Sequence, residues 1–126
     1  MPESLTPLKT RSLKWRRTEM SKNVKRWFVE TTKAESWDGK NGAPNVWFNS
    51  YSMDSLEEAR EFIQRKIGEI AMNQKNKVEW ISWTTTRVEV RHNYPNDGAG
   101  KVHVNFIMAI LYVDENGVIK YVDIGD

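Results

Sequence analysis

Between Val78 and Ile124 the chain has three strand-like runs, Val78 to His92, Val102 to Val113 and Val118 to Ile124, whose second face is polar near the first turn and apolar toward Ile81, Trp83, Leu111 and Val113. A period of two puts successive side chains on opposite faces of a pleated ribbon, so the runs read as long antiparallel strands with one face on a core. Two turn signals separate them. Asn116-Gly117 offers the two positive-φ positions of a two-residue type I′ hairpin. That loop would pair Glu115 with Val118 and Val113 with Lys120, bringing Tyr112 opposite Tyr121. The other signal, Asn93 to Gly100, is longer, and register there must come from pattern. Matching Val88 and Val90 with Val102, Val104 and Phe106 pairs Val90 with Val104 and Val88 with Phe106. Glu89 then lies across from Asn105, and Arg91 across from His103.

The upstream half supplies the element that covers this sheet. Asp54 as N-cap with Glu57 three residues on forms a capping-box-like start, its acidic side chains at the positive end of a helix. Leu56, Ala59, Phe62, Ile63, Ile67 and Ile70 follow at helical spacing on one face, and the pattern ends near Met72. Before it, Val24 to Thr32 and Asn45 to Tyr51 read as two paired strands. Trp37 to Pro44, with two glycines and a proline, reads as an Ω-type loop between them. Trp37 in that loop is either a plug or an exposed stacking residue, the plug being favoured because a ring buries much apolar area.

A chain of 126 residues, 39% hydrophobic, has room for one domain and a real core. It contains no cysteine, which excludes disulfides, thiolate metal sites and a cysteine nucleophile. No apolar run approaches the roughly 18 residues of a membrane span. The basic N-terminus has no apolar stretch behind it, so no secretory signal is expected and the chain reads as cytoplasmic.

Charge divides the chain. Residues 1–26 carry eight basic and two acidic side chains, a surplus of six, whereas the remainder carries 11 basic and 15 acidic, a deficit of four. Residues 1–23 therefore read as a basic arm, partly disordered or a short helix, ahead of one α+β domain over residues 24–126. Arg11, Lys14, Arg16, Arg17 and Lys22 would contact phosphates or an acidic protein surface, with Trp15 stacking or docking. A solvated tail that docks through Leu13 and Trp15 is the competing account.

The most chemical cluster is the polar half of one sheet face, Glu89, Arg91, His103 and Asn105, with His92 at the strand end. A histidine beside a carboxylate can act as a base near neutral pH, and an arginine beside it can hold an anion. Alternating Glu, Arg and His are equally the ordinary decoration of a solvated sheet face. Two histidines make a poor metal site, and the chain lacks a P-loop, a dinucleotide fingerprint and a serine elbow. No metal, cofactor or catalytic residue is therefore expected. Six tryptophans are unusual for this length; Trp27, Trp47, Trp80 and Trp83, in strands, read first as core or sheet-cover residues, and a concave sheet lined by Trp and Tyr could alternatively stack a base, a sugar or a flat ligand.

The element order, a strand pair, a helix, then long antiparallel strands closing with Asp114-Glu115-Asn116-Gly117-Val118-Ile119-Lys120, resembles the latter part of the NTF2-like cone fold over about Val24 to Asp126. The two leading helices of that fold are largely missing. A cystatin-like sheet gripping one helix fits the order equally. The cone resemblance implies a pocket between helix and sheet, and such folds serve both binding and catalysis. Together these readings give a curved antiparallel sheet of about five strands on one long amphipathic helix, in the order β-β-α-β-β-β. Function reads as binding without chemistry: a small regulator or inhibitor that meets nucleic acid or an acidic protein surface through its arm. The alternative is a small-ligand pocket, or a small enzyme with His103 as base and Arg91 as anion anchor. A homo-oligomer joined through an exposed sheet edge or aromatic face is a third reading.

Overall fold

The computed structural model describes residues 26–39, 41–97 and 100–124. The arm residues Arg11, Lys14, Trp15, Arg16, Arg17 and Lys22 lie outside the described residues, as does Val24. The described chain is α+β: β1 (Trp27–Trp37), β2 (Asn45–Met53), α1 (Leu56–Met72), β3 (Lys77–Trp83), β4 (Arg87–Pro95), β5 (Lys101–Val113) and β6 (Ile119–Tyr121). All pairings are antiparallel, in the order β2-β1-β5-β4-β3, with β6 on β5 beyond the end of β4. Among the described residues no helix is long and apolar enough to cross a membrane.

α1 begins one residue later than its sequence signal. Ser55 is the N-cap and its hydroxyl accepts from the Glu58 N–H at 3.1 Å, while the Glu58 carboxylate accepts from the Asp54 N–H. The capping pair is thus Ser55 with Glu58, not Asp54 with Glu57. Both pairs have the same residue chemistry at the same spacing, so pattern alone could not choose between them. The helix ends at Met72, as its periodicity predicts.

Ala59 and Ile63 of α1 are buried against Val29 of β1, Val88 of β4, and Met108 and Ile110 of β5, with Met53 and Ile124 closing the cluster. Each large side chain buried there contributes about 1.5–3 kcal/mol of hydrophobic stabilisation. Arg26 ties the start of β1 to the end of β5 by donating from Nη1 to the carbonyls of Val113 (3.2 Å) and Asp114 (2.8 Å).

Four expectations are corrected. β1 runs to Trp37 instead of ending at Thr32, so Trp37 is a half-buried strand residue paired with Val102, not part of a loop. The run Val78 to His92 is two strands, which makes six in all. The turn between them, Thr84 to Arg87, has no glycine, asparagine or proline to announce it. Thr84 closes that turn by donating its N–H to the Arg87 carbonyl (2.8 Å) and accepting the Arg87 N–H on its hydroxyl (3.2 Å).

The β4–β5 register is displaced by two from the expected one: Val90 pairs with Phe106, Val88 with Met108, and Arg91 with Asn105. A shift of two leaves every side chain on the same face, so alternation cannot detect it. The strands instead continue through Tyr94 and Pro95, and the chain reverses at Gly100 with φ +89°. The β5–β6 register is displaced by one, with Val113 opposite Ile119 and Leu111 opposite Tyr121. Asp114 is the cause. Its Oδ1 accepts the N–H groups of Asn116 (2.8 Å) and Val118 (2.9 Å), building a three-residue loop that ends on Gly117 at φ +82°. An odd shift exchanges faces, and Tyr121 now lies on the face away from α1, where its hydroxyl donates to Glu30 Oε1 at 3.1 Å.

Replacing Ser55 with Ala should cost about 1 kcal/mol, the usual loss of a helix N-cap. Urea denaturation of the variant checks it, and an unchanged midpoint would place the cap elsewhere.

Candidate functional site

The two faces of the sheet differ in kind. Glu89, Arg91, His103 and Asn105 all lie on the face away from α1, opposite in phase to the core residues Val88, Val90, Val102 and Val104. Arg91 donates from Nη1 to Asn105 Oδ1 at 3.2 Å and its Nε lies 3.4 Å from Glu79 Oε1. Glu79 also accepts from Asn93 Nδ2 on the side that alternation from Val78 gives it, and the bulge between Val78 and Trp80 turns Trp80 to that side as well. The Asn93 hydrogen bond, helped by the Arg91 charge, holds the Glu79 carboxyl below its ordinary value.

The carboxylate beside His103 is Asp38, not Glu89, which stands opposite Ile107. Asp38 Oδ1 lies 2.9 Å from His103 Nε2, and Oδ2 accepts the Lys101 N–H at 2.8 Å. Its own N–H donates to the Lys101 carbonyl at 3.0 Å. The His103 hydrogen bond, then the Lys101 N–H, lower the Asp38 pKa. Asp38 thereby fastens the β1–β2 loop to the start of β5. A Cβ on Gly100 would lie 2.4 Å from Asp38 Oδ2, so this close approach requires glycine as much as the positive φ does. These are half-exposed pairs on an open face, where each contributes little by itself. The polar face is a fastening of β3, β4, β5 and the loop.

The sheet has an open cleft on each side: one of about 460 Å³ on the face away from α1, among Glu30, Arg87, Ile107 and Tyr121, and a second on the helix side. Followed from the core outward, the helix-side residues change character: Val29, Thr31, Lys33 and Glu35 on β1, and Val88, Val90, His92 and Tyr94 on β4. Where they turn polar, α1 ends. Between its last turns and the sheet is a cavity of about 340 Å³. Val104, Phe106 and Ile70 give it apolar wall, and Lys33, His92, Tyr94 and Asn76 give it polar wall, with Lys66, Glu69 and Asn73 at the helix end.

Each polar group here except one has a visible role. Tyr94 donates its hydroxyl to Glu35 Oε2 at 3.1 Å, and burial together with that carboxylate raises its pKa. Lys33 Nζ lies 3.8 Å from the same carboxylate, and Lys66 Nζ lies 3.5 Å from Glu69. Asn76 donates from Nδ2 to the Ile70 carbonyl at 3.0 Å, capping the helix end. His92 is the exception. It is 7% exposed, and its Nδ1 is buried without a hydrogen-bond partner among the described residues. Burial, then the charge of Lys33, lowers its pKa, which favours the neutral ring near pH 7.

None of Glu89, Arg91, His103 and Asn105 lines this cavity. Its polar residues were legible only as a phase: 31, 33, 35 and 92, 94 continue the parity of the apolar 29 and 88, 90. Of the strand tryptophans, Trp27 packs on Tyr112 with ring centroids 4.6 Å apart, and Trp47, Trp80 and Trp83 stay about half exposed. Among the described residues no group of three or more His, Asp or Glu side chains could hold a metal ion. Comparisons with protein-family models, with curated proteins and with solved structures find no match to this chain.

Gly100→Ala should destabilise the fold by about 1–2 kcal/mol from the left-handed backbone alone, and by more once Asp38 is displaced. Denaturation measures the loss, and the His103 ring resonances should move with it. Asp38 and Glu79 have folded pKa values below their ordinary ones, so what they contribute is complete above those ordinary values and is lost as pH falls through the folded ones. Stability should accordingly decline on the acid side, and the decline should be smaller in Asp38→Asn.

Proposed function

We propose that the protein binds a small molecule in the cavity between the C-terminal half of α1 and the sheet. The observation that carries this reading is the buried, unpartnered Nδ1 of His92. A buried polar atom left without a hydrogen bond costs about 1–3 kcal/mol, and since Nδ1 itself is closed off, a ligand would recover that cost by turning the His92 ring toward the cavity it lines. The size of the cavity, about 340 Å³, is within the range of small-ligand sites, and so is its mixture of apolar wall and a few convergent polar groups. The resemblance to a cone-like sheet around a helix implies a pocket in this position.

Charge narrows the ligand. Lys33 and Lys66 each lie beside a carboxylate, which favours an uncharged molecule over a multiply charged anion. Phe106, Val104 and Ile70 favour one with an apolar or flat part, and His92 one with a hydrogen-bonding group. Binding is favoured over catalysis because His92 lacks the orienting partner that accompanies the base of a nucleophile–base pair.

His92→Phe keeps a ring and removes the unpartnered nitrogen. It should stabilise the protein by about 1 kcal/mol and abolish binding of compounds that shift the amide signals of His92, Phe106 and Asn76. A library of small uncharged aromatic and hydroxylated compounds, followed by NMR of the full chain, makes the test. Compounds that bind only elsewhere, or a destabilised His92→Phe, would overturn the reading. Because the folded pKa of His92 is depressed, its contribution is full above its ordinary value of 6.5 and is lost as pH falls through the folded value. That part of the acid sensitivity should vanish in His92→Phe.

The charge asymmetry supports a second, separate reading, in which residues 1–23 contact nucleic acid or an acidic protein surface through Arg11, Lys14, Arg16, Arg17 and Lys22, with Trp15 stacking or docking. Binding to short oligonucleotides should then fall steeply with salt and disappear when residues 1–22 are removed. Salt-independent binding that survives the deletion would exclude it.

A further inference from the structure

We infer that β2 is a self-association edge, along which a second copy of this chain pairs antiparallel and joins two sheets into one. The inference is independent of the cavity. β2 is one of the two outer strands of the sheet path, so one side of its backbone has no strand beside it among the described residues. Soluble proteins usually protect such an edge with charge, proline, a bulge or shortness. The other outer strand does so. β3 carries Lys77 and Glu79 and is interrupted by a bulge at Glu79, and β6 is only three residues long.

β2 has none of these devices. Its nine residues, Asn45-Val46-Trp47-Phe48-Asn49-Ser50-Tyr51-Ser52-Met53, include no charge and no proline, and they pair with β1 without a bulge. All but Met53 are exposed, Phe48 at 73%. Two of its three aromatic residues are already held in place. Tyr51 packs on Phe62 of α1 with centroids 4.9 Å apart, and Lys33 lies over the Trp47 ring at 5.6 Å.

The same properties identify the partner as a second copy. Twofold pairing sets a strand against itself, so any net charge on it would repel its own image, and β2 has no charge to repel. An axis at Asn49 sets Trp47 against Tyr51 of the second copy, twice, on the helix-side face. On the other face it sets Phe48 against Ser50 and Val46 against Ser52, a large residue meeting a small one each time. A charged partner strand would find no complement on β2.

Sedimentation velocity of the full-length protein over a range of concentrations tests this. The wild type should pass from monomer to dimer as concentration rises. Asn49→Lys, which places two like charges at the axis, and Phe48→Lys should each raise the dissociation constant at least tenfold, with circular dichroism unchanged. Ser82→Lys on β3 should leave the constant unchanged. Hydrogen exchange of β2 amides should slow with concentration in the wild type alone. A wild type that stays monomeric at millimolar concentration, a dimer indifferent to both β2 substitutions, or β2 amides protected equally at all concentrations would overturn the inference.

Discussion

β5 rises about 43 Å over its 13 residues, whereas the 17 residues of α1 rise only about 25 Å. One helix therefore cannot cover the face of the sheet that it packs on, and the architecture follows from that mismatch. Under the helix the strands present Val29, Val88, Met108 and Ile110, and the core forms there. Past Met72 a fully apolar sheet face would lie open to water. The chain instead places Lys33, Glu35, His92 and Tyr94 in the same phase, and the space beside the helix end becomes a cavity with polar walls.

Within that cavity the groups that can be satisfied locally are satisfied, by Tyr94 on Glu35 and by Asn76 on the Ile70 carbonyl. His92 is held differently. Burial and Lys33 act together against its charged form, and its Nδ1 has no hydrogen-bond partner among the described residues. A chain selected only for stability would have little reason to keep this arrangement, since an apolar residue of similar shape avoids the desolvation cost. That asymmetry makes the cavity the best candidate for function. Arg91 and His103 belong instead to a network whose effects are to hold strands and a loop together.

The sheet has no partner layer on its second face among the described residues, and its two outer strands differ accordingly. β3 is interrupted by its bulge and carries charge, and its Glu79 engages Arg91 and Asn93. β2 is regular, uncharged and aromatic. One edge is thus built to discourage strand addition, while the other lacks every such device.

The sequence by itself determined the α+β class, the antiparallel ladder, the helix and its end at Met72, and which residues of β4 and of β5 share a face, because these depend on local periodicity and capping chemistry; the bulge in β3 turned Ile81 and Trp83 to the face opposite the one alternation gives them. Tertiary structure decided the registers, since an even slip at β4–β5 preserves every face and an Asx contact from Asp114 converted a two-residue loop into three. It also divided the run at Thr84 to Arg87, where backbone and hydroxyl hydrogen bonds make a turn from residues with strand propensity. The partner of His103 was beyond local pattern as well: Asp38 lies 65 positions away in sequence and reaches it only because β1 pairs with β5 and Gly100 leaves room. His92 and Tyr94 showed their face in the sequence by parity. That this face borders an open cleft depends on where a helix of fixed rise per residue runs out above longer strands, which is a property of packing and not of any one segment.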